Sequence, residues 1–321
     1  MNVALTAAII GVTGYVGSEL ARLLGHHAHL SLEAVYSRSA AGKPLGEVVP
    51  PLAGFTSLVV RDLNAKEAAT FDVVFVATPH GVARDLVQDL LRHGDPIIVD
   101  MSADHRHAEG WVYAQPEWMA QSVQGARRLA IPGCFATALG LSLAPMVAAE
   151  LVSGPICASG VTGSTGSGVN AKRATHHPER FVNLKAYKVL QHQHVPEVRG
   201  FLSYFGDAVD LNFVPHSGPF DRGIFTTCFI PTKQPEQALH AFSEAYDTAP
   251  LIRFRSQSPE LRWVRGTAFC DLSVHHTAGH VVVLAAIDNL GRGAACQGLQ
   301  ALNLSCGWPT TMGLWSAAVT P

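Results

Sequence analysis

The sequence predicts an α/β fold: a doubly wound parallel sheet of the Rossmann type, joined to a second domain of the α+β class. Residues 4–10 form a short apolar run, a glycine-rich stretch follows at 11–17, and residues 18–24 then have helical spacing. Residues 71–77 are nearly all apolar, which is typical of a parallel strand buried on both faces. This alternation of strands and helices predicts a parallel sheet with helices on both sides.

The remaining elements follow from the same patterns taken along the chain. Further strands are predicted at 31–37, 96–100, 223–230, 267–274 and 280–287, the last three in a more antiparallel sheet. Further helices are predicted at 82–91, directly after Cys134, and at 291–307. Residues 159–168 are so rich in glycine and small residues that a loop is expected there. The change of pattern near residue 134 predicts two domains, 1–133 with 290–321, and 134–289.

The composition is that of a globular protein and excludes two kinds of partner. The 321 residues are 48% hydrophobic and 15% charged, with a formal net charge of −2. This charge gives no electrostatic basis for binding nucleic acid or an anionic membrane surface. No uninterrupted apolar run reaches the ~18 residues that a membrane-spanning helix requires. The apolar start of the chain lacks basic residues, which predicts a first strand rather than a signal peptide.

The six cysteines favour a reducing compartment. Their spacing is irregular and none forms a C-x-x-C pair, so neither a disulfide framework nor a cysteine zinc site is predicted. Reduced thiols in a cytoplasmic protein are the simplest interpretation.

The glycine-rich stretch after the first strand is suited to a dinucleotide. Glycines at such a turn let a pyrophosphate approach the N-terminus of the following helix. An ordinary glycine-rich turn is the alternative, because the Gly-x-x-Gly-x-x-Gly spacing differs from the usual Gly-x-Gly-x-x-Gly. The cofactor contacts predicted in this stretch are Gly11, Thr13, Gly14, Tyr15, Val16 and Gly17.

The second strand ends in Ser37-Arg38-Ser39. A carboxylate at this position would bind the ribose of NAD, whereas a cation beside two hydroxyls suits the 2′-phosphate of NADP. The sequence therefore predicts NADP as the cofactor. The alternative for Arg38 is a solvated loop cation with no ligand.

Cys134 is the candidate nucleophile. It follows Pro132-Gly133 and precedes a long apolar helix, so its thiol meets the unpaired N–H groups and the positive end of the helix dipole. Both favour the thiolate, which is the nucleophilic form. The alternative is a buried structural thiol, since free cysteines often behave as small hydrophobic residues. A nucleophilic cysteine with a nicotinamide site indicates reduction of an acyl group through a thioester.

An acid/base for this thiol is expected in the segment Gln191-His192-Gln193-His194. Either His192 or His194 could act on Cys134. Alternatively, the pair could join His176 and His177 in a metal site. No carboxylate or cysteine stands at a familiar ligand spacing, so no metal is predicted.

Several short motifs follow one another in a specific order and spacing. They are Gly11-Val12-Thr13-Gly14-Tyr15-Val16-Gly17, Pro79-His80-Gly81, Val99-Asp100-Met101-Ser102-Ala103-Asp104-His105-Arg106, Pro132-Gly133-Cys134, His192-Gln193-His194-Val195-Pro196-Glu197, Asp221-Arg222-Gly223 and Ile287-Asp288-Asn289-Leu290. Together they resemble the N-acetyl-gamma-glutamyl-phosphate reductases, the arginine-biosynthesis branch of the aspartate-semialdehyde dehydrogenase-like group. The resemblance runs through almost the whole chain.

The resemblance implies NADPH-dependent reduction of N-acetyl-gamma-glutamyl phosphate through a thioester on Cys134. It implies His194 as the acid/base, with His192 as a substrate contact and the second choice for that role. It also implies an α+β domain for substrate binding and oligomerisation, and hence a homo-oligomer, either a dimer or a tetramer.

The resemblance further implies roles for residues that have ordinary interpretations without it. Ser102 and Arg106 would bind the acyl phosphate, and Arg222 would pair with the substrate carboxylate. Further cofactor contacts would be Pro79, Gly163, Ser164 and Asn289, the last near the nicotinamide carboxamide. Without the resemblance, Arg106 and Arg222 would be surface ion-pair residues and Asn289 a turn residue.

Three segments depart from the family pattern. Phe135-Ala136 replaces the usual tyrosine and proline, residues 161–168 differ from the common serine–glycine–alanine–glycine form, and residues 171–180 are divergent. These segments flank the substrate, so the acyl group stays open between acetyl, succinyl and a homologous aminoadipyl substrate. Two other classes also stay open: a cysteine hydrolase or acyltransferase without a redox step, and a nucleotide-sensing protein without catalysis.

Overall fold

The computed structural model describes residues 4–319 and divides them into two compact units. The first unit comprises residues 4–132 and 294–315, and the second comprises residues 133–293 and 316–319. Residues 1–3 and 320–321 of the domains predicted from the sequence lie outside the described residues. The assignment of separate functional tasks to the two domains stays a prediction.

The first unit is built on a six-stranded parallel sheet. Its strands are β1 (Leu5–Ile10), β2 (Leu30–Tyr36), β3 (Val73–Val76), β4 (Ile97–Asp100), β5 (Val112–Tyr113) and β6 (Arg128–Ala130). Their order across the sheet is β2-β1-β3-β4-β6-β5. Its helices are α1 (Tyr15–Leu24), α2 (Leu45–Val48), α3 (Ala65–Ala68), α4 (Ala83–His93), α5 (Ala120–Val123) and, late in the chain, α10 (Cys296–Ser305). The predicted Rossmann-type sheet is confirmed.

Packing of α4 illustrates how the sequence specifies this unit. Ala83, Leu86, Val87 and Leu90 recur at helical spacing and are buried in one cluster with side chains of β1, β2 and β3. Full burial of a Leu or Val side chain contributes about 1.5–3 kcal/mol. Truncating Leu90 to alanine is therefore expected to cost about 2–5 kcal/mol, because a cavity would remain.

The order of the strands reverses at the carboxyl end of β1. β1 pairs with β2 on one side and with β3 on the other, so the chain leaves β1 and β3 in opposite directions. Ligands of doubly wound sheets bind at such a reversal. The glycine-rich loop at 11–17 follows β1 directly and therefore lies at this point.

The second unit contains a seven-stranded mixed sheet. Its strands are β7 (Ile156–Thr162), β8 (Lys185–Ala186), β9 (Leu211–Ser217), β10 (Ile224–Pro231), β11 (Ile252–Phe254), β12 (Cys270–Thr277) and β13 (His280–Ile287). Their order is β11-β12-β13-β10-β7-β9-β8, with β13 antiparallel to both β10 and β12, and β7 parallel to β9. Its helices are α6 (Cys134–Ala148), α7 (His177–Arg180), α8 (His194–Leu202) and α9 (Ala238–Tyr246).

Helix α6 is the centre of the second unit. Every residue from Phe135 to Val147 is buried, because α8 and α9 and the strands β10 and β13 all pack against it. A helix that is enclosed on all sides is apolar all round, which accounts for the long apolar run after Cys134.

One local prediction differs from the structure, and one stretch for which no element is predicted contains helices. Residues 159–162 belong to strand β7 rather than to a loop. A Cβ built on Gly160 would lie 2.5 Å from the Phe135 ring, so the small residues leave room for that ring rather than marking a loop. The polar, histidine-rich stretch after residue 171 contains α7 and the start of α8, so His194 begins a helix.

Candidate active site

Cys134 is the first residue of α6, and Gly133 precedes it as the N-cap. Gly133 has extended backbone angles, φ −68° and ψ 152°, so the chain turns directly into a 15-residue helix at the thiol. Cys134 is half-buried, and no acidic residue stands in the first turn of α6. The dipole of this helix therefore acts on the thiol without a carboxylate from the same turn.

His194 brings its imidazole to the turn that carries Cys134. It is the first residue of α8 and is buried. A Cβ built on Gly133 would lie 2.2 Å from His194 Nε2, so the ring fills the space that a side chain at residue 133 would need. The Nε2 atom therefore lies directly against the neighbour of Cys134, and this approach requires glycine at 133.

Glu197 reaches the same turn from one helical turn further along α8. Its Oε1 accepts a 2.8 Å hydrogen bond from Gly133 N, and the residue is 3% exposed. Residues three apart on a helix share a face, so His194 and Glu197 both meet Gly133. Glu197 receives no role from the sequence, because the helix that contains it is not predicted there. The i, i+3 spacing of His194 and Glu197 is the signal that could have revealed it.

His192 is a buried imidazole among aromatic rings. Its ring meets three of them edge-on, with centroid distances of 5.6 Å to Phe135, 5.7 Å to Tyr187 and 5.8 Å to Phe213. Burial, with a smaller effect of Lys188, lowers the pKa of His192 to about 4. Its Nδ1 accepts a 3.2 Å hydrogen bond from the backbone N–H of His194. His192 is therefore uncharged at neutral pH and fixes the start of α8.

Cys134 differs from Cys157, Cys228 and Cys306 in standing at a helix N-terminus. All six cysteines are free thiols. Burial raises the pKa of Cys228 to about 12 and that of Cys306 to about 11, which leaves both unreactive at neutral pH. Cys157 is exposed but stands within strand β7 rather than at a helix N-terminus.

Arg222 is tied to a buried carboxylate. Its Nε donates to Asp288 Oδ1 and Oδ2 at 3.2 and 2.9 Å, and its Nη2 donates to Oδ1 at 2.9 Å. Asp288 is fully buried and also accepts from the backbone N–H groups of Leu290 and Gly291. A pair of this kind offsets the charge of the arginine. A substrate carboxylate at Arg222 would thus be a second anion at a cation that already has one.

Asn289, Gly163 and Ser164 lie in one network of loops of the second unit. Asn289 Oδ1 accepts from Gly223 N at 2.7 Å, and its Nδ2 donates to Thr165 Oγ1 at 3.0 Å. Gly163 N donates to Gly223 O at 3.0 Å, and Ser164 opens the short 3-10 turn Ser164–Ser167. Both ends of the Asn289 amide are engaged within the unit, so this side chain holds the turn beside β10. Its contact with the nicotinamide carboxamide stays a prediction.

In the first unit, Asp100 organises the loop that follows β4. Its carboxylate accepts from Ser102 N at 2.8 Å, from Ser102 Oγ at 3.0 Å and from His105 Nδ1 at 2.6 Å. Ser102 Oγ also accepts from Asp104 N at 3.1 Å, and the His105 ring stacks on Trp111 at 4.0 Å. The hydroxyl of Ser102 is thus used in shaping the loop.

Arg106 lies in the same loop of the first unit. It is 8% exposed, and its Nε donates to Ile131 O at 2.9 Å. Ile131 stands three residues before Cys134 in the chain. A planar guanidinium that is fixed in this way is suited to binding two oxygens of an anion such as phosphate.

The glycine-rich loop brings the ends of β1 and β3 together. Gly11 has a φ of +94°, and a Cβ there would lie 2.5 Å from Ala77 O, so only glycine fits. Gly14 is the N-cap of α1 and offers no side-chain cap, so the N–H groups of the first turn remain available to an anion. Tyr15 is exposed at this turn, and Pro79 is exposed in the loop after β3.

A row of hydroxyls joins this loop to the end of β2. Thr13 Oγ1 lies 3.1 Å from Ser37 Oγ, which lies 3.2 Å from Ser39 Oγ. Arg38 stands between the two serines, is exposed, and forms no hydrogen bond or ion pair with any described residue. A cation and hydroxyls placed in this way are suited to a phosphate group.

Residues 4–319 contain neither a metal-binding cluster nor a membrane-spanning helix. No three His, Cys, Asp or Glu side chains in that part of the chain are placed to hold a metal ion. Of the helices described there, none is both long enough and apolar enough to traverse a bilayer.

Family models match both parts of the chain. The model described as semialdehyde dehydrogenase, NAD binding domain, matches residues 6–126. The model described as semialdehyde dehydrogenase, dimerisation domain, matches residues 134–289.

Curated relatives match nearly the entire chain. A protein named N-acetyl-gamma-glutamyl-phosphate reductase from Nitrosococcus oceani is 37% identical over 343 aligned positions, which cover 99% of this chain and 100% of that protein. Another of the same name, from Alkalilimnicola ehrlichii, is 38% identical and covers 98% of each chain. This chain belongs to the N-acetyl-gamma-glutamyl-phosphate reductase family.

The fold of this reductase-family chain has a solved counterpart. The structure of a probable aspartate-semialdehyde dehydrogenase from Pseudomonas aeruginosa has a TM-score of 0.76 at 18% identity, covering 94% of this chain and 98% of that one. At this identity the similarity shows a shared fold.

The candidate residues of this reductase-family chain divide between the matched segments. Cys134, His194 and Arg222 fall within the segment of the dimerisation model. The glycine-rich loop and Arg106 fall within the segment of the NAD binding model.

Proposed function

We propose that this protein reduces N-acetyl-gamma-glutamyl phosphate with NADPH to N-acetyl-glutamate 5-semialdehyde and phosphate, as a step of arginine biosynthesis. The observation that carries the proposal is the turn at Gly133, where Cys134 begins α6 and both His194 Nε2 and Glu197 Oε1 meet. A cysteine beside an imidazole, in a chain with a dinucleotide-binding fold, supports a thioester route. Membership of the reductase family supports the substrate.

The residue types define the chemical steps. The thiolate of Cys134 attacks the acyl carbon, so that a C–S bond forms, the C–O bond to phosphate breaks, and phosphate leaves with the electron pair. When bound, NADPH supplies the hydride that reduces the thioester. His194 donates a proton to the oxygen that gains charge in this reduction. It takes the proton back when the C–S bond breaks and the aldehyde leaves. Such acid–base assistance contributes ~10²–10⁴-fold.

His194 is a better acid/base than His192 for two reasons. Its Nε2 lies against the residue next to Cys134, whereas Nδ1 of His192 accepts a backbone hydrogen bond. The pKa of His192, lowered to about 4, is also far from neutral pH, where an acid/base works best. His192 therefore acts as a positioning residue for α8.

The first unit fits NADP. Because Gly11 has no side chain, a pyrophosphate can approach the backbone of this loop closely. The uncapped start of α1 would hold that pyrophosphate. The hydroxyls of Ser37 and Ser39 and the unpaired cation of Arg38 would hold the 2′-phosphate.

Arg106 is the proposed phosphate-binding residue. Its guanidinium keeps a fixed position through Ile131 O, and a cation at the leaving phosphate offsets the charge that develops there. Ser102 supports this task by shaping the loop, through its two hydrogen bonds to Asp100.

A homodimer formed through the open face of the second sheet is part of the proposal. Side chains alternate along the strands: Thr226 and Cys228 of β10 are buried on the face that carries α6, whereas Phe225 and Phe229 on the other face are partly or largely exposed. The register places other uncovered side chains beside them: Val161, Val214, Val282 and Leu284. An uncovered apolar sheet face in a segment matched by a dimerisation model favours a second copy as its partner.

The proposed localisation of the protein is the cytoplasm. Its six free cysteines, with a nucleophile that must stay a thiol, suit a reducing compartment.

The proposed function is tested by running the reaction in reverse. NADP⁺ reduction by N-acetyl-glutamate semialdehyde is measured with and without inorganic phosphate. Phosphate-dependent reduction supports the acyl-phosphate chemistry and the acetyl group. Reduction only with the N-succinyl or aminoadipyl analogues would move the substrate to those compounds. Cleavage of an acyl phosphate without consumption of NADPH would instead indicate a cysteine hydrolase and overturn the proposal.

A further inference from the structure

Arg180 is a buried cation without a carboxylate partner in the part of the chain that the structure describes. It is the last residue of α7 and is 9% exposed. Other arginines of the second unit form ion pairs with Asp or Glu: Arg173, Arg199, Arg222, Arg253, Arg255, Arg262 and Arg265. Arg180 has no such partner among the described residues, and burial lowers its pKa. An arginine keeps its charge in proteins, so Arg180 is a buried positive charge without a counter-charge among the described residues.

Uncharged acceptors hold the guanidinium in place. Nη1 donates to Ser217 Oγ, and Nη2 donates to Thr162 O at 3.3 Å and to Gly218 O at 2.5 Å. Thr162 and Ser217 end the parallel strands β7 and β9, so the guanidinium lies beyond their carboxyl ends. The remaining donor, Nε, is buried and has no hydrogen-bond partner within residues 4–319. Native proteins rarely leave such a donor unpaired.

Tyr187 relates Arg180 to the nucleophile. Burial raises the pKa of the Tyr187 hydroxyl, Cys134 raises it further, and Arg180 lowers it. Both side chains therefore interact electrostatically with one phenol. The ring of Tyr187 also meets His192 edge-on at 5.7 Å. Arg180 thus belongs to the surroundings of Cys134.

The segment after Arg180 is strained. Val182, Lys188 and Leu190 have φ angles of 52°, 45° and 57°, in the left-handed region that bulky residues disfavour. Strain of this kind concentrates at ligand-binding segments, where the surrounding structure maintains it. The strained stretch begins beside Arg180 and ends shortly before His192.

We propose that Arg180 binds the α-carboxylate of the N-acyl-glutamyl group whose γ-carbonyl carbon reacts with Cys134. This inference rests on the proposed function, since such a substrate carries one carboxylate besides its acyl phosphate. The carboxylate supplies the counter-charge that Arg180 lacks, in a geometry that suits the guanidinium fork. Arg222 is the weaker candidate, because Asp288 already occupies its fork.

The test removes the charge from each partner in turn. Wild type and Arg180→Met are compared with N-acetyl-glutamate semialdehyde and with the α-carboxamide of the same compound. We expect the wild type to prefer the carboxylate roughly tenfold to hundredfold in kcat/KM, and Arg180→Met to treat the two compounds alike. Arg173→Met is the matched control: Arg173 stands in the same segment with an 88% exposed side chain, so the preference stays.

A binding measurement supports the kinetic one. N-acetyl-glutamate should protect Cys134 from alkylation by iodoacetamide in the wild type but not in Arg180→Met. Arg180→Gln, which can still donate to Gly218 O, replaces Arg180→Met if that variant does not fold. A carboxylate preference that survives both substitutions overturns the role of Arg180 and leaves the proposed function intact. No turnover of either compound by the wild type overturns the proposed function, and this inference with it.

Discussion

The backbone N–H of Gly133 donates a 2.8 Å hydrogen bond to the carboxylate of Glu197. This bond joins the N-cap of α6, which carries Cys134, to α8, which carries His194. Both bonded residues are buried, so water offers neither group an easy replacement. Glu197 therefore holds the turn of Cys134 and the helix of His194 in one arrangement, although it is neither the nucleophile nor the acid/base.

Two substitutions at Glu197 distinguish the hydrogen bond that its carboxylate accepts from the charge that it carries. Glu197→Ala removes the acceptor of the buried Gly133 N–H, so we expect the free energy of unfolding to fall by about 1–3 kcal/mol. Glu197→Gln keeps an oxygen for that N–H, so its stability should stay near that of the wild type. Urea unfolding checks both variants, with Glu179→Ala as a control at a partly exposed carboxylate. Equal stability of the Ala and Gln variants would contradict the structural role.

Cys134→Ser tests the nucleophile. A serine at this position is a far weaker nucleophile than a thiolate, so we expect turnover to fall by roughly three orders of magnitude or more. NADPH binding, followed by fluorescence titration, should stay within about twofold, since the glycine-rich loop is untouched. Cys157→Ser, at an exposed thiol, is the control and should keep its activity. Substantial turnover by Cys134→Ser would remove the thioester route.

Local patterns were enough to predict β1 to β4, α1, α4 and α6. The run of β1, the glycines after it and the spacing of α1 are all contiguous, so the sequence shows them directly. Helix α6 is equally visible, because a helix enclosed on all sides must be apolar along its whole length.

The rest of the site depends on contacts between distant residues. Gly133 and Glu197 are 64 residues apart, and Arg222 and Asp288 are 66 apart. Neither pairing leaves a periodic pattern in the sequence. Helix α8 begins among polar residues and histidines, so its apolar face is too short to reveal it. The neutralisation of Arg222 and the unpaired charge of Arg180 therefore become visible only in the folded chain.

The lowered pKa of His192 makes stability depend on pH. The unfolded chain binds a proton at this histidine below about pH 6.5, whereas the folded chain, with a pKa of about 4, does not. The stability due to the neutral ring is therefore complete above pH 6.5 and is lost as the pH falls through 4. We expect the unfolding free energy of the wild type to decrease over this interval more than that of His192→Asn.

Urea midpoints at about pH 7 and pH 4.5 measure this difference. The amide oxygen of Asn can replace Nδ1 as the acceptor for the His194 N–H, so that the substitution removes mainly the titration. His276→Asn is the control, because His276 is exposed. An equal acid loss in the wild type and in His192→Asn would show that the ring titrates normally.

Arg38→Ala tests the choice between NADP and NAD. The unpaired cation should contribute to binding only when a 2′-phosphate is present, so we expect the Kd of NADPH to rise roughly tenfold to hundredfold. The Kd of NADH should change by less than about threefold. Isothermal titration measures both, with Lys43→Ala as a control at another exposed cation of this region. An equal loss for both cofactors would place Arg38 outside the 2′-phosphate site.

Phe229→Asp tests the homodimer. Phe229 is 49% exposed on the sheet face opposite α6, so a charge there should leave the core of the unit intact. In a dimer the same charge would be buried twice at the interface without a partner, which strongly disfavours association. We therefore expect the wild type to sediment as a dimer and Phe229→Asp to sediment as a monomer at micromolar concentration.

Leu239→Asp provides the matched control for this prediction. Leu239 is a similarly exposed apolar residue, at 54%, but lies on α9 rather than on the open sheet face. It should leave the dimer unchanged. A dimer that persists in Phe229→Asp would place the interface elsewhere. Because Phe135 packs on the buried face of the same sheet at Gly160, loss of the dimer is also expected to loosen the start of α6 and lower turnover.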